Sequence, residues 1–227
     1  MTVIDTTTTQ VVKPTPIKEF IELNHQIEHG MQTYPGLSHV DVYEHMPRFE
    51  NNALIDGLNI FGISGTYIDS PFHEDPNGHK ICDYPLEKLV NLPVVVVNKP
   101  DNRIFFDIED FGDLELKGCA VLLNSKHCQH FNTEAYGENC PYLSNQAAEY
   151  LVAQGVALVG IDSPLVDNIN NPGAAIPVHN ILLSNGVVIC EDMTNISAVE
   201  GKNAYLSAVP PRVPMASFPA RVFAAVY

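Results

Sequence analysis

The chain has 227 residues, 45% of them hydrophobic and 17% charged, which suits one substantial globular domain whose core needs no disulfide or metal staple. Its 27 Asp and Glu against 12 Lys and Arg give a formal net charge of −15. Such a surface repels phosphate backbones and anionic lipid heads, which weighs against nucleic-acid and membrane-surface partners and reads as solubility. The five cysteines are odd in number and include no Cys-x-x-Cys pair, which argues against a disulfide framework or structural zinc knot and for reduced thiols in a cytoplasmic protein.

Taken in chain order, residues 1–16 are polar and without periodicity, and are expected to form a flexible N-terminal tail. Met1 to Gln10 is Thr-rich and lacks the basic and apolar regions of a signal peptide. No apolar run approaches the ~20 residues that cross a bilayer. Residues 17–227 show no linker or repeat and read as one domain. Val94–Asn98, Cys119–Asn124, Val156–Ile161 and Val187–Cys190 are near-continuous apolar runs, the pattern of strands buried on both faces. Ser144 is a plausible N-cap for a helix through Ala153, ended at Gly155. A second short helix is expected over Val178–Asn185, before Gly186. The pattern is mixed α and β, with strand–helix–strand units in the second half.

Chemistry concentrates in two places. In the extended stretch Ile63-Ser64-Gly65-Thr66-Tyr67-Ile68-Asp69-Ser70-Pro71-Phe72-His73, alternate residues share a face, so Tyr67, Asp69 and His73 are expected to point one way, with Pro71 bending the chain. The bland alternative is that Asp69 caps a turn and His73 is an ordinary loop histidine. The second place is His179 and Glu191. A helix of about six residues runs roughly 9 Å away from His179, and a strand of about four residues covers roughly 13 Å on the way back. The two ends can therefore meet. Glu191 follows an apolar strand, where a bare carboxylate needs a partner or a metal.

Together these segments resemble the cyclase family, which includes bacterial kynurenine formamidases and isatin hydrolases. The family motif His-x-Gly-Thr-His-x-Asp-x-Pro-x-His is matched at Gly65, Thr66, Asp69, Pro71 and His73, and its downstream His and Glu at His179 and Glu191, before Thr194-Asn195. Glu28-His29-Gly30-Met31 with Tyr34-Pro35-Gly36 looks like the family's first strand and loop, and Val159-Gly160-Ile161-Asp162-Ser163-Pro164 like another of its segments. The resemblance implies an α/β fold, a single domain with a mixed β-sheet core of the swivelling β/β/α kind. It implies Asp69, His179 and Glu191 as metal ligands and His73 as the acid–base histidine. Ile63 and Tyr67 stand where the motif has its two other ligand histidines. Ile63 cannot bind a metal, and Tyr67 could do so only as a phenolate.

The remaining imidazole and two carboxylates could hold zinc or manganese. The activity implied is hydrolysis of the carbon–nitrogen bond of an arylformamide or cyclic amide, as in tryptophan catabolism, with Tyr67 donating to the developing oxyanion or replacing a ligand. Lactone or lactam opening, or cyclisation, would use the same site. A non-catalytic ligand-binding protein that has lost the metal is the rival from another class. His29 and His130 are candidates to line the pocket, and His127-x-x-His130 is a weak ligand pattern. A homodimer or homotetramer is implied, with neighbouring subunits shaping the pocket.

Overall fold

A computed structural model describes residues 15–34 and 36–227. Most of the expected tail therefore lies outside the described residues. The strands are β1 (Glu19–Glu22), β2 (Asp41–Met46), β3 (Ile55–Asn59), β4 (Tyr67–Asp69), β5 (Leu92–Asn98), β6 (Phe105–Phe106), β7 (Ala120–Asn124), β8 (Tyr142–Leu143), β9 (Leu158–Ile161), β10 (Val188–Glu191), β11 (Ala204–Val209), β12 (Ser217–Pro219) and β13 (Arg221–Val226). Two α-helices, α1 (Asn145–Ala153) and α2 (Pro177–Ser184), complete the frame. None of the described helices is long and apolar enough to cross a membrane.

Nine strands form one mixed sheet in the order β1-β13-β11-β5-β7-β9-β10-β4-β12. The central β5, β7, β9 and β10 are mutually parallel. The flanks are antiparallel, through β4 and β12 on one side and β11, β13 and β1 on the other. The fold is α/β with a mixed-sheet core in one domain, as the family resemblance implies.

The apolar runs follow from burial on both faces. In β7, Ala120 and Leu122 enter one core cluster while Val121 and Leu123 enter the other. The first cluster lies under the C-terminal strands, with Leu206, Val222 and Ala224. The second lies under the helices, with Leu151, Leu182 and Phe106. α1 carries β7 to β9 and α2 carries β9 to β10, the crossovers that parallel neighbours require. The Ser144 side chain accepts from the Ala147 N–H, so the expected N-cap is in place. Gly155 follows with φ of 73°, a left-handed conformation that favours glycine.

Gly160, in β9, is tightly packed. A Cβ there would meet Leu122 Cδ2 at 2.7 Å and the Met193 sulfur closer still. Gly160→Ala should therefore destabilise the protein by about 1–3 kcal/mol, the usual cost of overpacking, read as a lowered urea midpoint with an unchanged slope.

One expectation is corrected. Residues 28–31 form a turn at His29 and Gly30 rather than a strand, with Gly30 at φ of 79°. The first strand among the described residues is β1.

Candidate active site

Cross-strand register assembles the site. In β10, Glu191 shares its face with Ile189, which packs toward the helices. β4 lies antiparallel beside it, with Tyr67 opposite Glu191 and Asp69 opposite Ile189. Residues directly opposite share a face, so Tyr67, Asp69 and Glu191 all look toward α2. β12 places Ser217 opposite Asp69, and the Ser217 hydroxyl donates to Asp69 Oδ1.

His179, in the first turn of α2, points back into this cluster. Its Nε2 lies 3.6 Å from Asp69 Oδ2 and 3.4 Å from Glu191 Oε1. Donor atoms of the three residues all lie within 4.8 Å of one another, and all three side chains are buried. The helix and strand therefore bring His179 and Glu191 together as their spacing predicts. His73 stands on the one-turn 3-10 helix Pro71–His73 that follows β4. Its ring centroid is 5.6 Å from that of His179, and the residue is exposed.

Three residues that the sequence reading did not single out hold this geometry. Asp167 accepts from the Val178 and His179 backbone N–H groups at 2.8 and 3.0 Å and pairs with His179 Nδ1 at 2.7 Å. It thereby caps α2 from outside the helix and leaves Nε2 to face the carboxylates. Val166 N–H donates to Glu191 Oε1 at 2.5 Å. Ser217 holds Asp69. No local pattern marks these three; their roles come from chain segments far apart in sequence.

The electrostatics follow from burial. Burial alone would lower the His179 pKa, but Glu191, Asp167 and Asp69 outweigh it and hold it well above the ordinary value. Burial, reinforced by Glu191 and Asp69, pushes the Tyr67 hydroxyl well above its usual range. Tyr67 donates to Glu191 Oε2 at 2.5 Å. Asp69 Oδ2 is buried without a hydrogen-bond partner, a costly arrangement for a carboxylate oxygen unless a cation faces it. An imidazole nitrogen with its other nitrogen bonded to a carboxylate, beside two more carboxylates, is a donor set that fits a divalent cation.

A cavity of about 410 Å³ abuts the cluster. Ile63 and Tyr67, the two replacements in the motif, both line it, and Tyr67, bonded to Glu191, forms the wall between the cavity and the buried donors. Its mouth is built by residues 32–34, 36–39 and 131–137, tied by a bond from Gln32 N–H to Asn132 Oδ1 of 3.0 Å. Asp192, which follows Glu191 at φ of 53°, lines the cavity and accepts from the Tyr136 hydroxyl at 2.5 Å.

The expected pocket histidines lie elsewhere. His29 is exposed and pairs with Asp41 at 3.2 Å. His130 faces a separate surface groove beside Arg103. His127 also opens on that groove, and its Nε2 bonds the Tyr136 carbonyl at 2.8 Å.

Comparison with known proteins agrees with this architecture. Kynurenine formamidase from Bacillus cytotoxicus is 25% identical over 194 residues, covering 85% of this chain and 90% of the relative. Isatin hydrolase A from Ralstonia solanacearum superposes with a TM-score of 0.79 at 16% identity, over 92% of each chain. A structure described as a potential metal-dependent hydrolase with cyclase activity gives a TM-score of 0.73 at 21% identity, over 91% of this chain and 96% of the other. These structural likenesses show a shared fold. The Cyclase family model, described as "Putative cyclase", matches residues 21–168, a span that holds the Gly65-to-His73 motif and more than half of the chain. On that match, this chain belongs to the cyclase family.

Proposed function

We propose that this protein is a metal-dependent hydrolase that cleaves the carbon–nitrogen bond of a small amide, an arylformamide or a cyclic amide. The observation that carries the reading is the buried convergence of Asp69, His179 and Glu191 with Asp69 Oδ2 unpartnered. These three residues would hold one zinc or manganese ion. When bound, such an ion lowers the pKa of water and polarises a carbonyl.

The chain's own residues supply the rest. Asp167 fixes the His179 ring through Nδ1, and Val166 and Tyr67 fix the two oxygens of Glu191. His73, exposed and close to His179, is placed to carry a proton from the attacking water to the departing amine, which must leave protonated. The names of the relatives, kynurenine formamidase and isatin hydrolase, support an amide substrate and leave a role in tryptophan catabolism within the proposal.

A homodimer or homotetramer belongs to the same reading. The β2–β3 hairpin leaves Val42, Met46, Ile55 and Leu58 exposed, and a lone two-stranded hairpin is marginal in water without cover.

A ligand-binding protein without metal is favoured by one observation, the aliphatic Ile63 and the hydrogen-bonded Tyr67 in ligand positions. Metal analysis separates the two. Protein purified without chelator should carry about one divalent ion per chain, and stripping it should cost roughly 2.7 kcal/mol of stability when the ion is supplied at 100 times its Kd. A chain that stays metal-free after incubation with zinc and with manganese, and shows no thermal shift, overturns the hydrolase reading.

A further inference from the structure

The inference concerns what the cavity takes, and it rests on reading that cavity as the substrate site of the proposed hydrolase. The Tyr67 hydroxyl spends its one proton on Glu191 Oε2. The same oxygen lies 3.5 Å from the Pro164 carbonyl oxygen, and Tyr67 and Pro164 both line the cavity. A phenol oxygen that has spent its proton keeps lone pairs to offer and has no hydrogen to give. Asp192 adds a carboxyl at the same wall, and Glu134 a second acid at the mouth. Among the described residues, no Lys or Arg lines the cavity; the exposed His39 is its sole basic side chain.

Charge decides what fits. With Asp192 and Glu134 as its acids and no Lys or Arg to offset them among the described residues, the cavity opposes a ligand carboxylate. The remaining walls are aromatic and aliphatic, with Phe131, Tyr136, Ile63 and Ile169, and suit a flat ring.

We propose that Tyr67 serves as a hydrogen-bond acceptor, and that the cavity selects an aromatic ligand bearing N–H donors toward Tyr67 and Asp192 and no carboxylate. An uncharged or cationic aromatic amide or amine meets that description; an amino-acid-like or benzoate-like ligand does not. Tyr67 is then a specificity-determining residue that a histidine in its place, bound to a metal, could not be.

The test uses 2-aminobenzamide and anthranilate, which differ at one group, the first neutral with added N–H donors and the second an anion. Binding is measured by calorimetry at pH 7 on the full chain, in metal-stripped and in zinc-incubated form. In the stripped protein 2-aminobenzamide should bind, and anthranilate should bind at least about tenfold more weakly, a modest share of the Coulomb penalty near a fixed acid. Tyr67→Phe should weaken 2-aminobenzamide by about 2- to 10-fold, the range for one lost hydrogen bond. Equal or tighter binding of anthranilate in the stripped protein overturns the proposal, as does binding of neither probe, or unchanged affinity in a folded Tyr67→Phe. If Tyr67→Phe does not fold, the paired ligands on the unaltered chain still decide the charge preference, and Asp192→Asn, by narrowing the gap between them, assigns it to this wall; an unchanged gap overturns that assignment. The stripped arm also separates failures. Selective binding there, with no uptake of either zinc or manganese, refutes the hydrolase reading and leaves the ligand class standing.

Discussion

Asp167→Ala should lower the unfolding free energy of the metal-stripped protein by about 3–5 kcal/mol, the range for breaking a buried charged pair. Asp167 is fully buried and is the acceptor for three donors at once, the Val178 and His179 N–H groups and His179 Nδ1. α2 has no side-chain cap on its own N-cap residue, Ile176, so Ala would leave its first turn without these bonds. Each buried donor so orphaned costs about 1–3 kcal/mol, and the imidazole would lose the carboxylate that holds its ring. Asp167→Asn keeps one oxygen and should lose less, about 1–3 kcal/mol, while still weakening metal uptake 10- to 100-fold because the His179 ring is no longer held with Nε2 free. Urea unfolding of stripped proteins measures the first effect and metal titration the second. At this chain length each kcal/mol corresponds to a Tm change of about 2–4 °C. A loss under about 1 kcal/mol for the Ala variant would show that water or a neighbour replaces the cap, and that the residue does not set the position of α2.

The central strands were legible because they are buried on both faces. A run such as Ala120-Val121-Leu122-Leu123 leaves no polar face to hide, so composition alone marks it. The C-terminal strands were not picked out. β11 alternates buried and half-exposed positions, and β12 ends a stretch containing Pro210, Pro211 and Pro214 that reads locally as loop. The short β6 and β8 owe their pairing to each other, which no local signal announces. Tertiary pairing decided these elements, not propensity.

At the site, spacing carried Asp69, His179 and Glu191, since a short helix and a returning strand of fixed rise leave little freedom in where their ends meet. What spacing could not carry is the support. Asp167 reaches His179 across a loop, Ser217 reaches Asp69 across 148 residues, and Asp192 enters the cavity through a left-handed backbone at an Asp-Met pair. The same limit explains His29 and His130. His29 sits in a segment resembling the family pattern, and His130 in the loop after β7, but the turn at residues 29–30 aims His29 at Asp41. His127 and His130 stand in a one-turn 3-10 helix whose open side faces Arg103. The replacements at Ile63 and Tyr67 were visible in the sequence. The consequence at Tyr67, a wall between the cavity and the buried donors, needed the β4–β10 register.

Acidification from pH 7 to pH 5 should cost this protein about 2 kcal/mol through His25 alone, and His25→Phe should abolish that part of the loss. Burial holds the His25 pKa at about 4, against an ordinary 6.5. Its Nε2 is buried without a hydrogen-bond partner, and its ring stacks on Phe131 at 3.5 Å with 7° between planes. The sign follows from proton counting. Between pH 6.5 and 4 the unfolded chain carries a proton at His25 and the folded chain does not, so stability falls as pH falls through that window. The loss begins near the unfolded value and is complete only below the folded one. A protonated ring over Phe131 would regain about 0.5–1 kcal/mol as a cation–π contact, too little to reverse the sign. Asp162 and Asp192 oppose the trend, because burial raises both carboxyl groups and the folded state then binds their protons first. The total curve is therefore a sum, and the difference between the parent and His25→Phe isolates one contributor, since Phe keeps the stack and cannot titrate. Urea unfolding at pH 7, 6 and 5 gives that difference. Parallel pH profiles would mean that His25 reaches solvent in the folded protein, and that the Phe131 side of the cavity is looser than the stacked geometry shows.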